Sequence, residues 1–156
     1  MTNPIPEGAE GVIPHLVVNN AAEAIEFYKK AFGAEEVMRH PVPGSDKLMH
    51  AQIKIGGSLI YLCDDFPEFC GGKERNPGAL GGTPVTIHQY VRDTDAVVKR
   101  ASDAGAKVTM PPADMFWGDR YATVQDPYGH AWSFATHIKD MTPAEMEKAA
   151  MAAFGG

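Results

Sequence analysis

The chain repeats itself. A short β-branched run, Ile13-Pro14-His15-Leu16-Val17-Val18, leads into a helix signal, and the same order returns around His88, 73 residues after His15. Two local echoes support the duplication. Val18-Asn19-Asn20-Ala21-Ala22 parallels Val91-Arg92-Asp93-Thr94-Asp95, and Gly33-Ala34-Glu35-Glu36-Val37 parallels Gly105-Ala106-Lys107-Val108. A chain of 156 residues built this way is expected to fold as two copies of one supersecondary unit within a domain of ordinary size.

Each copy reads in the same order. In the first, Ile13–Val18 is a strand. Asn20 and Glu23 form a variant capping box, the apolar positions through Phe32 have helical spacing, and Gly33 closes the helix. Strands follow near Glu36–Arg39, at Met49–Ile55 and at Ser58–Cys63, separated by Pro43-Gly44 and Gly56-Gly57 turns. In the second, Val85–Val91 is a strand, Asp93 caps a helix over Asp95–Ala104, and Gly105 ends it. Strands at Lys107–Met110, Arg120–Gln125 and His130–Thr136 complete the copy, the last two joined by an Asp126-Pro127-Tyr128-Gly129 turn. The Gly/Pro-rich stretch from Asp64 to Pro84 connects the copies, and a connection of that length is functional, mobile or a crossing between modules. Thr142-Pro143-Ala144-Glu145 is a capping box that starts a C-terminal helix over about 142–154 with an apolar stripe.

Charge and composition narrow the function classes. Fourteen basic against twenty acidic side chains give a net charge of −6, which lacks the basic footprint of a nucleic-acid or anionic-membrane binder. No stretch approaches a membrane span, and the opening residues have neither a basic nor an apolar leader segment. Cys63 and Cys70 are too few for a disulfide framework and lack C-x-x-C spacing; they are expected to be reduced thiols in a cytoplasmic protein, the alternative being a pair that closes a small loop.

The doubled order, Ala24-Ile25-Glu26-Phe27-Tyr28 leading to Ala31-Phe32-Gly33-Ala34, and Asp126-Pro127-Tyr128-Gly129-His130 resemble the vicinal-oxygen-chelate (VOC) superfamily, the glyoxalase, bleomycin-resistance and dioxygenase fold. Trp117-Gly118-Asp119-Arg120, Leu80-Gly81-Gly82-Thr83-Pro84-Val85 and Thr136-His137-x-x-Asp140 resemble its glyoxalase-like branch, also labelled 3-demethylubiquinone-methyltransferase-like. No glycine-rich turn of the S-adenosylmethionine type is present, so methyl transfer is not expected. The resemblance implies an α+β fold: two tandem βαβββ modules forming an open cup-shaped mixed β-sheet, plus a C-terminal helix. One domain over 1–156 is expected, with module one at about 10–64 and module two at about 85–137. A cytoplasmic homodimer with a small-molecule ligand is also implied.

Metal-binding relatives place ligands at positions that here are Ile13, Thr86 and Ser133, with a further position near Tyr61. Isoleucine has no donor atom and hydroxyls are poor ligands alone, so no metal cofactor is expected. His15 and His88 lie two residues beyond the usual first-strand positions and so on the same strand face. Three roles stay open for them: satisfied structural imidazoles, acid–base or ligand-binding groups, or the ligands of a displaced metal site.

The remaining candidates are substrate-binding. Arg120 begins a strand whose alternation could aim its guanidinium at an anionic group, the alternative being surface ion pairing. Phe116 and Trp117 could wall an apolar ligand, while Tyr61 and Tyr90 read as core packing or as inward-facing phenols. Ser133 falls on a small-residue strand face with room for a ligand; His40 and His50 read as surface residues, and His137 as an anchor for the tail. Two functions follow: a glyoxalase-like enzyme of lyase or isomerase type without the usual metal ligands, or a protein of bleomycin-resistance type that sequesters a compound without chemistry.

Overall fold

Asn20 starts the first helix as its sequence predicts. Its Oδ1 accepts the Glu23 backbone N–H at 3.2 Å and its Nδ2 donates to the Glu23 carboxylate at 3.2 Å. Helix α1 (Ala21–Phe32) then runs to Gly33, whose φ of 66° lets its N–H and the next turn back onto the Lys29 and Tyr28 carbonyls. The computed structural model describes residues 1–155, and the chain divides into two units, Met1–Thr83 and Pro84–Gly156.

In the first unit, β1 (His15–Val18), β2 (Glu35–Pro41), β3 (Leu48–Ile55) and β4 (Ser58–Asp64) form a sheet in the order β1-β4-β3-β2. The β1–β4 pair is parallel and the others are antiparallel. Helix α1 packs against the strands of this sheet, and Ile25 and Tyr28 of the helix are buried, as are Val18, Ile53 and Leu62 of the strands. Burying each such side chain contributes about 1.5–3 kcal/mol. Asp64 ties three elements together, accepting the Ala21 N–H at 3.1 Å and the Leu48 N–H at 2.7 Å.

The connection after β4 has structure of its own: a 3-10 turn at Pro67–Phe69 and the four-residue helix α2 (Pro77–Leu80). Asp65 anchors it. One carboxylate oxygen accepts the backbone N–H groups of Arg75 and Asn76 and the Asn76 side-chain amide, at 2.7–2.8 Å.

The second unit repeats the pattern. Strands β5 (Thr86–Tyr90), β6 (Lys107–Asp114), β7 (Asp119–Gln125) and β8 (Ala131–His137) take the order β5-β8-β7-β6, with β5 and β8 parallel. Helix α3 (Thr94–Ala104) covers one face, setting Val98 and Ala101 over Ala122, Val124, Trp132 and Phe134. Strand β6 extends beyond the expected Met110 through Pro111 and Pro112. It lies at the sheet edge, where a residue without an N–H is tolerated, and its register shifts there. The Asp126 turn is closed from within: its carboxylate accepts the Tyr128 and His130 N–H groups and the Trp132 indole N–H at 2.9–3.0 Å.

Helix α4 (Pro143–Phe154) carries the full capping box, Thr142 and Glu145 bonding reciprocally. None of its residues is buried, and Met151 and Phe154 are exposed. No helix among the described residues is long and apolar enough to cross a membrane.

Candidate functional site

Alternation along β5, β7 and β8 decides which side chains share the face opposite α3. Because Ala122, Val124, Trp132 and Phe134 are buried beneath the helix, their neighbours Tyr121, Thr123, Ser133 and Ala135 point the other way. The parallel pairing of β5 with β8 sets His88 opposite Ser133 and Tyr90 opposite Ala135 on that same face.

His88 is oriented there. Its Nδ1 lies 2.7 Å from the Ser133 hydroxyl, which is itself buried. The Tyr90 ring meets the imidazole edge to face at 5.0 Å, and Tyr121 stacks on it at 6.1 Å. With Nδ1 held by Ser133, Nε2 is the nitrogen left for a ligand or a proton. Ser133 is too enclosed to act as a nucleophile; it fixes the ring.

Asp119 is the second centre of this face. It is 5 % exposed and accepts three side-chain donors: the Tyr90 hydroxyl at 2.9 Å, the Trp117 indole N–H at 3.1 Å and His137 Nδ1 at 2.9 Å. Burial opposes its ionisation, but the hydrogen bonds from His137, Tyr90 and Trp117 outweigh burial and hold the carboxyl below the ordinary aspartate value. The same contacts act on the partners. Asp119 pushes the Tyr90 phenol above its usual value, and Asp119 with Asp140 raises the His137 imidazole. His137 Nε2 lies 2.8 Å from Asp140, so this histidine joins the tail to the strand as expected. Trp117 also packs edge-on against Tyr121 at 5.7 Å. Phe116 meets Trp117 at 5.1 Å and Phe154 of α4 at 5.6 Å, which places it between the aromatic cluster and the tail helix.

Arg120 is a correction. The strand register puts it on the α3 face with Ala122 and Val124, one residue out of phase with the expected ligand-facing position. There its Nε and second terminal nitrogen clasp Asp95 at 2.5 and 2.9 Å, and the remaining nitrogen bonds Asp114 at 2.9 Å. The guanidinium thus brackets α3 and β6, and its ionic partners leave it no role on the opposite face.

In the first unit, the face opposite α1 brings together His15, His50 and Tyr61. Their ring centroids are 6.0 Å apart for His15–His50, 6.0 Å for His15–Tyr61 and 4.7 Å for His50–Tyr61, all edge to face. His50 is a second correction: it is half-buried in this cluster instead of standing free at the surface, and its Nε2 lies 3.1 Å from the Gln52 amide. Burial first, then the nearby His15 and His40, lowers its pKa. The two units correspond residue by residue. His15 lies across from Tyr61 and Tyr61 from Gln52, as His88 lies across from Ser133 and Ser133 from Thr123.

The residues at the positions where the family resemblance implies metal ligands are poor donors for a divalent ion. Ile13 offers no donor, Thr86 offers one hydroxyl, and the Ser133 hydroxyl is committed to His88. Among the described residues, no group of three or more His, Cys, Asp or Glu side chains is arranged to hold a metal.

The comparisons agree with this architecture. The family model of the Glyoxalase/Bleomycin resistance protein/Dioxygenase superfamily matches residues 12–134. An uncharacterized Mycobacterium bovis protein, Mb0911c, is 51% identical over 137 residues, covering 87% of this chain and 89% of its own. The uncharacterized Arabidopsis thaliana protein At5g48480 is 34% identical over 148 residues, covering 82% and 85%. Its X-ray structure matches with a TM-score of 0.63 over 80% of this chain and 97% of that one. The crystal structure of TioX from Micromonospora sp. ML1 matches at 27% identity with a TM-score of 0.61, covering 82% of this chain and all of that one.

Proposed function

Because this chain belongs to the Glyoxalase/Bleomycin resistance protein/Dioxygenase superfamily, we propose that it handles a small organic molecule on the sheet face opposite α3, with His88 as the proton-transferring group of a metal-independent, lyase- or isomerase-like reaction. The observation that carries this reading is the Ser133–His88 hydrogen bond, which leaves Nε2 of an exposed, oriented imidazole among tyrosine rings. A fixed imidazole beside aromatic walls suits a substrate that is held by its flat part and gains or loses a proton.

One further observation favours a second reading, sequestration without chemistry. Tyr90 and Trp117 are both locked onto Asp119, which makes a rigid aromatic surface whether or not His88 transfers a proton. Within the superfamily we place the chain in the glyoxalase-like, 3-demethylubiquinone-methyltransferase-like branch, on the Trp117–Arg120, Leu80–Val85 and Thr136–Asp140 segments. We also expect a homodimer, which light scattering would test directly.

The deciding experiment is a fragment screen of the full-length ¹⁵N-labelled protein by NMR. Ligands that shift the His88, Tyr90 and Tyr121 resonances support the site; ligands that bind only elsewhere overturn it. For a confirmed ligand, His88→Gln separates the two functions. Retained affinity with lost turnover assigns catalysis, and no turnover in either protein assigns sequestration.

A further inference from the structure

We propose that the face opposite α3 selects organic cations, held through a quaternary or protonated nitrogen against the rings of Tyr90, Trp117 and Tyr121 in front of the Asp119 carboxylate. This rests on the reading above that this face binds the ligand, and adds the charge of what it binds.

The first argument is what the strands leave out. Among the described residues of β5, β7 and β8, this face carries no Lys or Arg. Arg120, the one such residue in these strands, is turned to α3 and held by Asp95 and Asp114. Lys107 of β6 pairs with Gln125, at the far end of β7 from Asp119. Of the two histidines on this face, His88 is bonded to Ser133, and His137 stands between two carboxylates, Asp119 and Asp140. An anionic ligand therefore has no fork to grip on this face, whereas a cation meets a net negative cluster.

The second argument is electronic. Tyr90 and Trp117 donate their polar hydrogens to the same ionised carboxylate. Donation to an anion draws positive character to the O–H and N–H ends and leaves the ring faces richer in electrons. That strengthens their attraction for a cation. Tyr90 is 61 % exposed, so a ring enriched in this way is presented to a ligand. Asp119 acts here as a positioning residue: it orients two rings and supplies charge behind them without touching the ligand.

The test uses three probes of one shape and different charge: choline, 3,3-dimethylbutan-1-ol and 3,3-dimethylbutanoate. Each is titrated into the full-length ¹⁵N-labelled protein while the indole N–H resonance of Trp117 is followed. Trp117→Phe identifies that resonance against the one from buried Trp132. Choline is expected to saturate the Trp117 shift at a concentration about tenfold lower than the alcohol, with the carboxylate weaker still. Asp119→Asn is expected to weaken choline about fivefold while leaving the alcohol unchanged. If Asp119→Asn does not fold, Tyr90→Phe serves. It keeps the ring but not the donor, and choline is expected to weaken about twofold with the alcohol unaffected. Equal or tighter binding of the alcohol or the carboxylate at Trp117 would overturn the cation preference and leave the binding face standing. No response of Trp117 to any probe, with fragment hits confined to other surfaces, would overturn both.

Discussion

His88 and Ser133 are direct cross-strand partners whose side chains also bond, Nδ1 to Oγ at 2.7 Å. The backbone register and the side-chain bond act on the same ring, which is held at Nδ1 with Tyr90 and Tyr121 packed beside it. Replacing Ser133 with Ala releases the ring. The expected cost in stability is about 1 kcal/mol, measured by urea denaturation, since the freed Nδ1 belongs to an exposed residue that water can satisfy. Imidazole ¹⁵N shifts should show the tautomer balance of His88 changing in the variant, and an unchanged balance would remove Ser133 as its orienting group.

Arg120→Gln should leave ligand-induced shifts at His88 and Trp117 within about twofold of wild type, because its guanidinium serves α3 and β6 on the other face. A large loss of affinity for an anionic probe would return Arg120 to the binding site.

Asp126→Ala should be among the most damaging polar substitutions in the chain. It strands the Tyr128 and His130 amides and the Trp132 indole N–H, with Tyr128 and Trp132 buried. Losing these charge-assisted bonds is expected to cost about 3 kcal/mol, read as a fall in the urea midpoint. Asp126→Asn keeps the acceptor oxygen and should recover part of the loss.

Two titrations should move in opposite directions. The hydrogen bond from Arg39, joined by one from Lys29, takes the Glu36 carboxyl down from 4.5 to about 2. A depressed carboxyl stabilises the fold above its unfolded pKa, and that contribution fades as pH falls through about 2. His137 is raised by Asp119 and Asp140, so its contribution is complete below the ordinary histidine value of 6.5 and is lost as pH rises through the higher folded value. Carbonyl-carbon and imidazole NMR titrations check both. A Glu36 midpoint near 4.5, or a His137 midpoint at or below 6.5, would contradict the assigned partners.

Much of the fold was legible because its signals are local. Asn20, Asp93 and Thr142 cap helices where their spacing predicts, Gly33 and Gly105 end two of them, and the duplicated order is visible in short echoes. The site was harder to read because it depends on phase and on distant partners. Arg120 differs from its expected face by a single residue of alternation, and one residue is enough to move a side chain to the other face. His88, Tyr90 and Ser133 do meet on one face, which strand periodicity foresees. Asp119 was invisible as a centre because its donors come from three separate places: β5, the turn before β7 and the end of β8. Continuing the alternation from Ser133 along β8 reaches His137, and stepping across to β7 reaches Asp119 and Tyr121, so correct sheet pairing was the missing signal. His50 reads as a surface residue for the same reason, since only the pairing of β3 with β4 brings it to Tyr61.

The three donors gathered by Asp119 have a bearing on how sequences of this kind can diverge. Tyr90, Trp117 and His137 are far apart in the chain but share one acceptor, so a substitution at any of them alters what the other two can tolerate. Removing the Asp119 carboxylate takes the shared acceptor from the Tyr90 hydroxyl, the Trp117 indole N–H and His137 Nδ1, while replacing one donor alone leaves a buried charge less compensated. Drift at these four positions should therefore be concerted. Natural variants are expected to keep the quartet whole or to have exchanged it together, and chimaeras that mix the two kinds should be less stable than either parent.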